Sequence, residues 1–341
     1  MAEAKAILLN SVKITGAPEY IYILQVEINH EVNDYARAKI VLAVDEEKAK
    51  TFLERANENK IKITAKTSDK NPTDVNLFQG CVTKIILEQT PEYNLMTLAL
   101  CDSAYLLDLK RDTCSFQKLD AKHEDILKKI YDKTGTVKLE KVTDKAIEKI
   151  ILRLNETEWE FTKRIAGVLG APIFTNIFSE KPVVTLGVPA PQHTAEINLN
   201  QLAHSFADSK FQFIKSNPKA KAENVNLINE DFYSVQIGGC LEYLFLGDKI
   251  KLNDKEYFVK SVAAHFADGI FISSYELVGK NTAFFLPHIP QKNIAGRVFR
   301  AQVKKVEKDK VQAHLIDVDK EFDSSGTTWF PFATAYSSAD G

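Results

Sequence analysis

The stretch Val82-Thr83-Lys84-Ile85, a turn, and Leu98-Ala99-Leu100 has a counterpart far downstream in Val259-Lys260-Ser261-Val262, a turn, and Tyr275-Glu276-Leu277. Val82 and Leu100 lie 18 positions apart, and so do Val259 and Leu277. Short β-branched and apolar runs bounded by turn residues are hairpin signals. Hairpins are common, but two with one spacing are what an internal duplication leaves behind. The expectation is two related β-barrel units separated by an insertion.

Outward from the first hairpin, residues 20–29 and 36–44 alternate or run apolar and predict strands, with the polar His30-Glu31-Val32-Asn33-Asp34 between them as a turn. In 45–57 the pattern breaks, because Ala49, Phe52, Leu53 and Ala56 recur at helical spacing. Strand patterns resume at 60–66, 75–87 and 93–101, with Pro91-Glu92 and Asn94 supplying the last turn. The middle reads differently. Asp120 is placed to cap a helix with Glu124 and Asp125 in its first turn, a stripe of Ile126, Leu127 and Ile130, and a stop at Gly135. A second helix reads as capped by Asn155, boxed by Glu158, striped by Phe161, Ile165, Val168 and Leu169, and ended by Gly170. Strands return at 183–188, 233–237, 248–252, 256–266 and 269–278. The polar run 215–229 reads as a loop, Pro287 and Pro290 mark a linker, and 294–307 and 311–318 open a last small β-unit. The fold class is therefore α+β, mostly β. The units expected are a first barrel at 1–105, a mainly helical insertion at 106–180, a second barrel at 181–286, and a linker with the start of a further barrel at 287–341.

Composition narrows the functional classes. A chain of 341 residues exceeds one ordinary core, and 45% hydrophobic with 26% charged residues is a globular balance. A net charge of −2 gives no general drive toward nucleic acid or anionic lipid. No apolar run approaches the roughly 20 residues of a membrane span. The opening Met1-Ala2-Glu3-Ala4-Lys5-Ala6-Ile7-Leu8-Leu9-Asn10 lacks the long apolar region of a signal peptide, so a cytosolic origin is expected. Cys81, Cys101, Cys114 and Cys240 sit at no metal or redox-motif spacing and read as small hydrophobes with reduced thiols.

A search for chemistry finds little. His30, His123, His193, His204, His265, His288 and His314 form no zinc-protease pair, and no Gly-x-Ser-x-Gly elbow exists. Ile237-Gly238-Gly239 lacks the lysine and helix of a phosphate loop. Glu156 and Glu158 read as first-turn helix charges rather than an acid/base pair. No catalytic residue, metal site or cofactor is predicted. Trp159, with Phe161 and Ile165, reads as a core anchor. Trp329, Phe330 and Phe332, in Thr328-Trp329-Phe330-Pro331-Phe332, form an aromatic cluster suited to a barrel core or an interface.

Several segments, taken in order, resemble the hub proteins of contractile injection machines: the phage baseplate hub, the late control D family and the VgrG spike of type VI secretion. Asn155-Glu156-Thr157-Glu158-Trp159-Glu160-Phe161-Thr162-Lys163-Arg164-Ile165-Ala166 is similar to the family's acidic-aromatic helix start. Gly80 falls in Leu77-Phe78-Gln79-Gly80-Cys81-Val82-Thr83, which resembles its Gly-x-Val-Thr strand. Cys114-Ser115-Phe116-Gln117 before Glu124-Asp125-Ile126-Leu127 resembles its Phe-Gln segment, and Gly247 and Asp248 of Leu246-Gly247-Asp248-Lys249-Ile250 its Gly-Asp hairpin.

The resemblance implies a homotrimer whose paired barrels adapt a six-fold tail tube to a three-fold spike. Its implied partners are a tail tube protein, a spike tip or further spike residues, and baseplate or effector proteins, with no nucleic-acid recognition and no membrane anchor. It places the protein in a phage tail, baseplate or released injection particle after synthesis in the cytoplasm. Ala295-Gly296-Arg297-Val298 and Trp329-Phe330-Pro331-Phe332-Ala333-Thr334-Ala335-Tyr336-Ser337-Ser338 look like the first strands of the family's oligonucleotide/oligosaccharide-type (OB) barrel. Because the segment is short for five strands, the chain is expected to continue past Gly341. Two rivals remain. A tail-borne cell-wall hydrolase would need an acid/base pair. An OB-type nucleic-acid binder would need basic and aromatic residues interleaved, where Asp317, Asp319, Glu321 and Asp323 stand instead.

Overall fold

A computed structural model of the protein describes residues 6–54, 60–68, 71–199, 202–210, 232–252, 255–279, 289–291, 294–323 and 326–331. The first third is built from β1 (Lys13–Thr15), β2 (Tyr22–Glu31), β3 (Arg37–Val44), β4 (Lys60–Lys66), β5 (Asp74–Gln89) and β6 (Asn94–Cys101). In β3 the side chains of Ala38, Ile40 and Leu42 are buried while Arg37 and Lys39 face out, the period of two that a half-buried strand requires. Helix α1 (Glu46–Glu54) buries Ala49 and Phe52. Leu53, expected on the same stripe, is 42% exposed, and Ala56 lies outside the described residues. Strand β2 runs through His30 to Glu31, beyond its expected end, because Val262 and Ser261 pair with those two residues. The turn is correspondingly shorter and uses Asn33 at φ 73°.

Residues 106–180, expected to be mainly helical, are mixed. They hold β7 (Arg111–Phe116), α2 (His123–Tyr131), β8 (Thr136–Leu139), β9 (Ile151–Thr157), α3 (Glu158–Leu169) and β10 (Ile173–Thr175), with β11 (Val183–Leu186) just beyond. Strands β10, β11 and β8 form one small sheet and β7 with β9 another. Both helix caps differ from expectation. Asp120 does not cap α2; the Asp144 carboxylate, 20 residues past Glu124, accepts from the Glu124 and His123 backbone N–H groups at 2.9 and 3.3 Å. Helix α3 is capped by Thr157 and boxed by Glu160, because Asn155 takes φ 51° inside β9 and the helix begins two residues later. Gly170 ends α3 in the left-handed conformation, as the pattern predicts. Val168, assigned to the buried stripe, is 45% exposed.

The chain continues through β12 (Thr194–Glu196), β13 (His204–Asp208), β14 (Tyr233–Cys240), β15 (Lys249–Leu252), β16 (Lys255–Ala267) and β17 (Ile270–Val278). The two hairpins of the sequence echo are β5–β6 and β16–β17. In each, the echo residues are direct cross-strand partners, Val82 opposite Leu100 and Val259 opposite Leu277. In each, the register then shifts by one residue, at Thr83 and at Lys260. The turns differ: β5–β6 uses the four residues 90–93, whereas β16–β17 uses Asp268 and Gly269 alone, at φ 50° and 77°.

The described strands form open sheets. Among the described residues the two halves fuse into one 12-stranded sheet, with main path β1-β4-β5-β6-β3-β2-β16-β17-β14-β13 and β15 and β12 branching from β16. The seam is the antiparallel β2–β16 pairing, Glu27 opposite His265 through Glu31 opposite Ser261. Strand β16 is long enough to pair β15 through residues 255–258 and β2 through 261–265. The final unit is a three-stranded sheet of β18 (Ala301–Glu307), β19 (Lys310–Leu315) and β20 (Phe330–Pro331). Residues 295–298, expected as its first strand, are a turn and irregular chain, with Val298 92% exposed. Residues 215–229, Pro287 and Phe332 lie outside the described residues.

Candidate assembly surface

Strand β5 changes partners at Cys81. Residues 74–81 pair β4 and residues 81–89 pair β6. Beyond Cys81, no strand among the described residues pairs the other edge of 82–89. At the far end of the sheet, among the described residues, β13 pairs β14 alone and is exposed along its whole length, with Phe206 62% exposed. Among the described residues, eight strands therefore run between two unpaired edges, β5-β6-β3-β2-β16-β17-β14-β13. Their outer face is built from cross-strand rows, one of which is Lys84, Ala99, Lys39, Glu27, His265 and Ile272. An unpaired edge presents free N–H and C=O groups, a template for another chain.

Buried polar groups hold this sheet to the segment behind it. Asp102 has no exposed surface and accepts from the backbone N–H of Ala36 (2.9 Å) and Ala104 (2.8 Å) and from the Thr175 hydroxyl (2.7 Å). That hydroxyl, having donated its proton, accepts from His30 Nε2 at 3.0 Å. Burial holds the His30 imidazole neutral by pushing its pKa down to about 3. Burial also raises Asp102 to about 6, outweighing the three hydrogen bonds that favour its ionised form. The order His–Thr–Asp superficially suggests a catalytic relay. The central hydroxyl is committed as donor to Asp102, and all three side chains are buried. The arrangement fastens strands together.

Asp248, 1% exposed, does the same in the second half. Its carboxylate accepts from the N–H groups of Gln192 (2.8 Å), His193 (2.9 Å) and Phe245 (2.9 Å). Gly247 beside it has φ +83°, and a Cβ there would sit 3.2 Å from Pro189. At Gly80 a Cβ would lie 2.1 Å from the Cys101 carbonyl oxygen, so the backbones of β5 and β6 approach as only glycine permits.

The structure places Trp159 (2% exposed), Phe161 and Ile165 in a second core together with Leu127, Tyr131 and Val184. The Trp159 ring lies 5.8 Å from Tyr35 of the first sheet's β2–β3 turn, so it touches both units. Its indole N–H has no hydrogen-bond partner among the described residues. Trp329 and Phe330 are half-buried at β20, and Phe332 lies outside the described residues. The small C-terminal unit is tied to β7 by Asp319, whose carboxylate accepts from Ser115 N and Oγ, each at 2.6 Å. Between them lies a cleft of about 580 Å³ lined by Phe116, Lys129, Arg153 and Phe322. No sequence pattern announced Asp102 or Asp319 as fasteners, because Ala36 and Ser115, which they bind, lie 66 and 204 positions away. Among the described residues no group of three or more His, Cys, Asp or Glu side chains is placed to hold a metal ion. No helix among them is long and apolar enough to cross a membrane.

Comparison with solved structures shows where else this fold occurs. An Escherichia coli protein, described as a type VI secretion component with structural similarity to the T4 bacteriophage tail proteins gp27 and gp5, superposes with a TM-score of 0.65 at 13% identity, covering 93% of this chain and 92% of its own. A chain of the lidded Francisella PdpA-VgrG complex gives 0.59 at 9% identity, over 99% of this chain and 67% of that one. A tail protein from Neisseria meningitidis MC58 gives 0.56 at 12% identity, over 82% and 98%. At these identities the likeness is one of fold: a mostly β architecture shared with phage-tail and type VI secretion proteins. No curated protein matches the sequence. The family described as Alg8 N-terminal domain matches residues 4–200, more than half of the 341 residues, and the chain belongs to that family.

Proposed function

We propose that this chain is a structural hub/spike protein of a phage-tail-like contractile injection machine, acting by assembly rather than catalysis. The observation that carries the reading is the eight-strand sheet whose edges at residues 82–89 and at β13 have no partner among the described residues. Pairing one edge to the other edge of a second copy is a heterologous contact, and such contacts give a ring when the rotation closes. Three copies are the number proposed, each supplying two related sheet halves, so that a three-chain ring presents six similar units to a six-fold tail tube. The shared fold of type VI secretion and tail proteins supports this.

The C-terminal sheet fits the start of a spike. Strand β18 is exposed at every position, with Val303 at 54% and Val306 at 65%. Apolar residues open on that scale are completed by neighbouring copies or by further spike residues. Tail tube, spike tip and baseplate or effector proteins are the partners proposed.

The test is the symmetry of assembled particles in images, together with amide hydrogen exchange. Residues 82–89 and 204–208 are expected to exchange fast in the isolated chain and slowly in the assembly. Three-fold particles in which both stretches still exchange like free edges refute edge pairing, and particles of another symmetry refute the trimer.

A further inference from the structure

The register of the first sheet places two thiols directly opposite one another. Cys81 on β5 pairs Cys101 on β6. Lys60 on β4 pairs Cys81 on its other side, and Arg37 on β3 pairs Cys101. Lysine, two cysteines and arginine thus form one cross-strand row on the outer face, since direct partners point to the same side. All four cysteines of the chain are free thiols, and Cys114 and Cys240 face Arg153 and Ser273, not another cysteine.

We propose that Cys81 and Cys101 are a reversible modification site, joined by a cross-strand disulfide when the protein meets a small-molecule disulfide such as oxidised glutathione. Directly paired residues of an antiparallel ladder have Cα atoms about 4.5–5.5 Å apart, inside the roughly 4.4–6.8 Å that a disulfide accepts. The Cys81 thiol already points across the ladder, donating to the Cys101 carbonyl at 3.7 Å. Cys81 is half-buried and Cys101 is 7% exposed, so the reagent reaches Cys81 first.

The Cys81 thiolate attacks one sulfur of the reagent, and the first glutathione leaves as a thiolate and takes up a proton. Cys101, deprotonated in turn, attacks the Cys81 sulfur of the mixed disulfide and expels the second glutathione. Two thiols are oxidised to one disulfide and one small disulfide is reduced to two thiols. The cations at Lys60 and Arg37 favour both thiolates, while burial disfavours them and raises Cys101 to about 11. The exchange is therefore slow at neutral pH and faster as pH rises.

The link would staple β5 to β6 at the residue where β4 departs and the unpaired 82–89 edge begins. Its value to assembly rests on the ring reading above; the cross-link itself does not.

The experiment treats the folded full chain with oxidised glutathione, alkylates the remaining thiols after unfolding, and maps linked peptides by mass spectrometry without reduction. The expected result is a Cys81–Cys101 peptide lighter by two hydrogen atoms, with Cys114 and Cys240 still alkylated. Cys81→Ser and Cys101→Ser each abolish it. Thiols that both remain alkylatable overturn the proposal, as does a stable glutathione adduct on Cys81, or a link that forms only in urea. Slower amide exchange across 82–89 after oxidation supports the staple, and unchanged exchange refutes it. Particle symmetry of the reduced chain is read separately, so a failed ring and a failed cross-link are told apart.

Discussion

Replacing Asp102 by asparagine keeps its shape and removes one acceptor. In the native site one carboxylate oxygen accepts from Ala36 N and Thr175 Oγ1, and the other from Ala104 N. An asparagine has a single acceptor oxygen. If it keeps Ala36 and Thr175, its NH2 group confronts the Ala104 N–H, donor against donor, with no exposed surface through which water could intervene. One backbone N–H and one amide N–H are then orphaned, at about 1–3 kcal/mol each. The N-cap of the short helical turn Ser103–Asp108 is lost with the same contact. The opposite orientation is worse, since it orphans Ala36 and misdirects the Thr175 hydroxyl on which His30 depends. A loss of about 2–6 kcal/mol follows for Asp102→Asn, and Asp102→Ala, which strands all three donors, should cost at least as much. Urea denaturation followed by tryptophan fluorescence reads the change as a midpoint shift at constant slope. A double-mutant cycle with Thr175→Val should show coupling of about 0.5–3 kcal/mol. An asparagine variant with the wild-type midpoint would mean that the carboxylate does not fasten these strands, and the account of the junction would be wrong.

Trp159→Ala should cost about 3–5 kcal/mol by emptying the second core, and an unchanged midpoint would place the indole at the surface. Gly80→Ala should destabilise by about 1–3 kcal/mol or more, because its Cβ meets a backbone oxygen at 2.1 Å, whereas Gly238→Ala, with the Ser274 hydroxyl at 3.4 Å as its nearest contact, serves as the mild control. The pH dependence of His30 has a definite sign: its folded pKa of about 3 lies below the ordinary 6.5, so its stabilisation is complete above pH 6.5 and is lost as pH falls toward 3. Asp102, raised to about 6, runs the other way, adding stability on acidification through that value. Comparison with His30→Gln cancels the Asp102 contribution, and wild type should lose about 2 kcal/mol relative to that variant between pH 7.5 and 5; parallel curves would refute the buried neutral imidazole.

The hairpin spacing was readable because a strand's register is a local property. Once Val82 faces Leu100, alternation fixes which neighbours face the core, and the downstream copy repeats both the pair and the bulge. The position of α3 was readable to within two residues, but its cap was not. The sequence reads as an Asn155 cap boxed by Glu158, but a positive φ at Asn155 inside the β7–β9 ladder moves the cap to Thr157 and the box to Glu160. Trp159, Phe161 and Ile165 were legible as a buried stripe, since helical periodicity needs no knowledge of the partner.

What the chain's own order of residues determined is this local layer: mostly β, two hairpins of one design, two helices with apolar stripes in the middle, and no recognisable catalytic motif. Tertiary structure alone decided that the two halves share one sheet through β2 and β16, which among the described residues leaves the 82–89 and β13 edges unpaired. It also decided that residues 106–180 use short strands that pair with distant segments, and that Asp144, Asp102 and Asp319 serve donors 20, 66 and 204 positions away. The physical reason is that a hydrogen bond or an edge pairing depends on distance in space. A pattern within a dozen residues records which face of an element is apolar, but carries no information about which remote backbone will come to meet it.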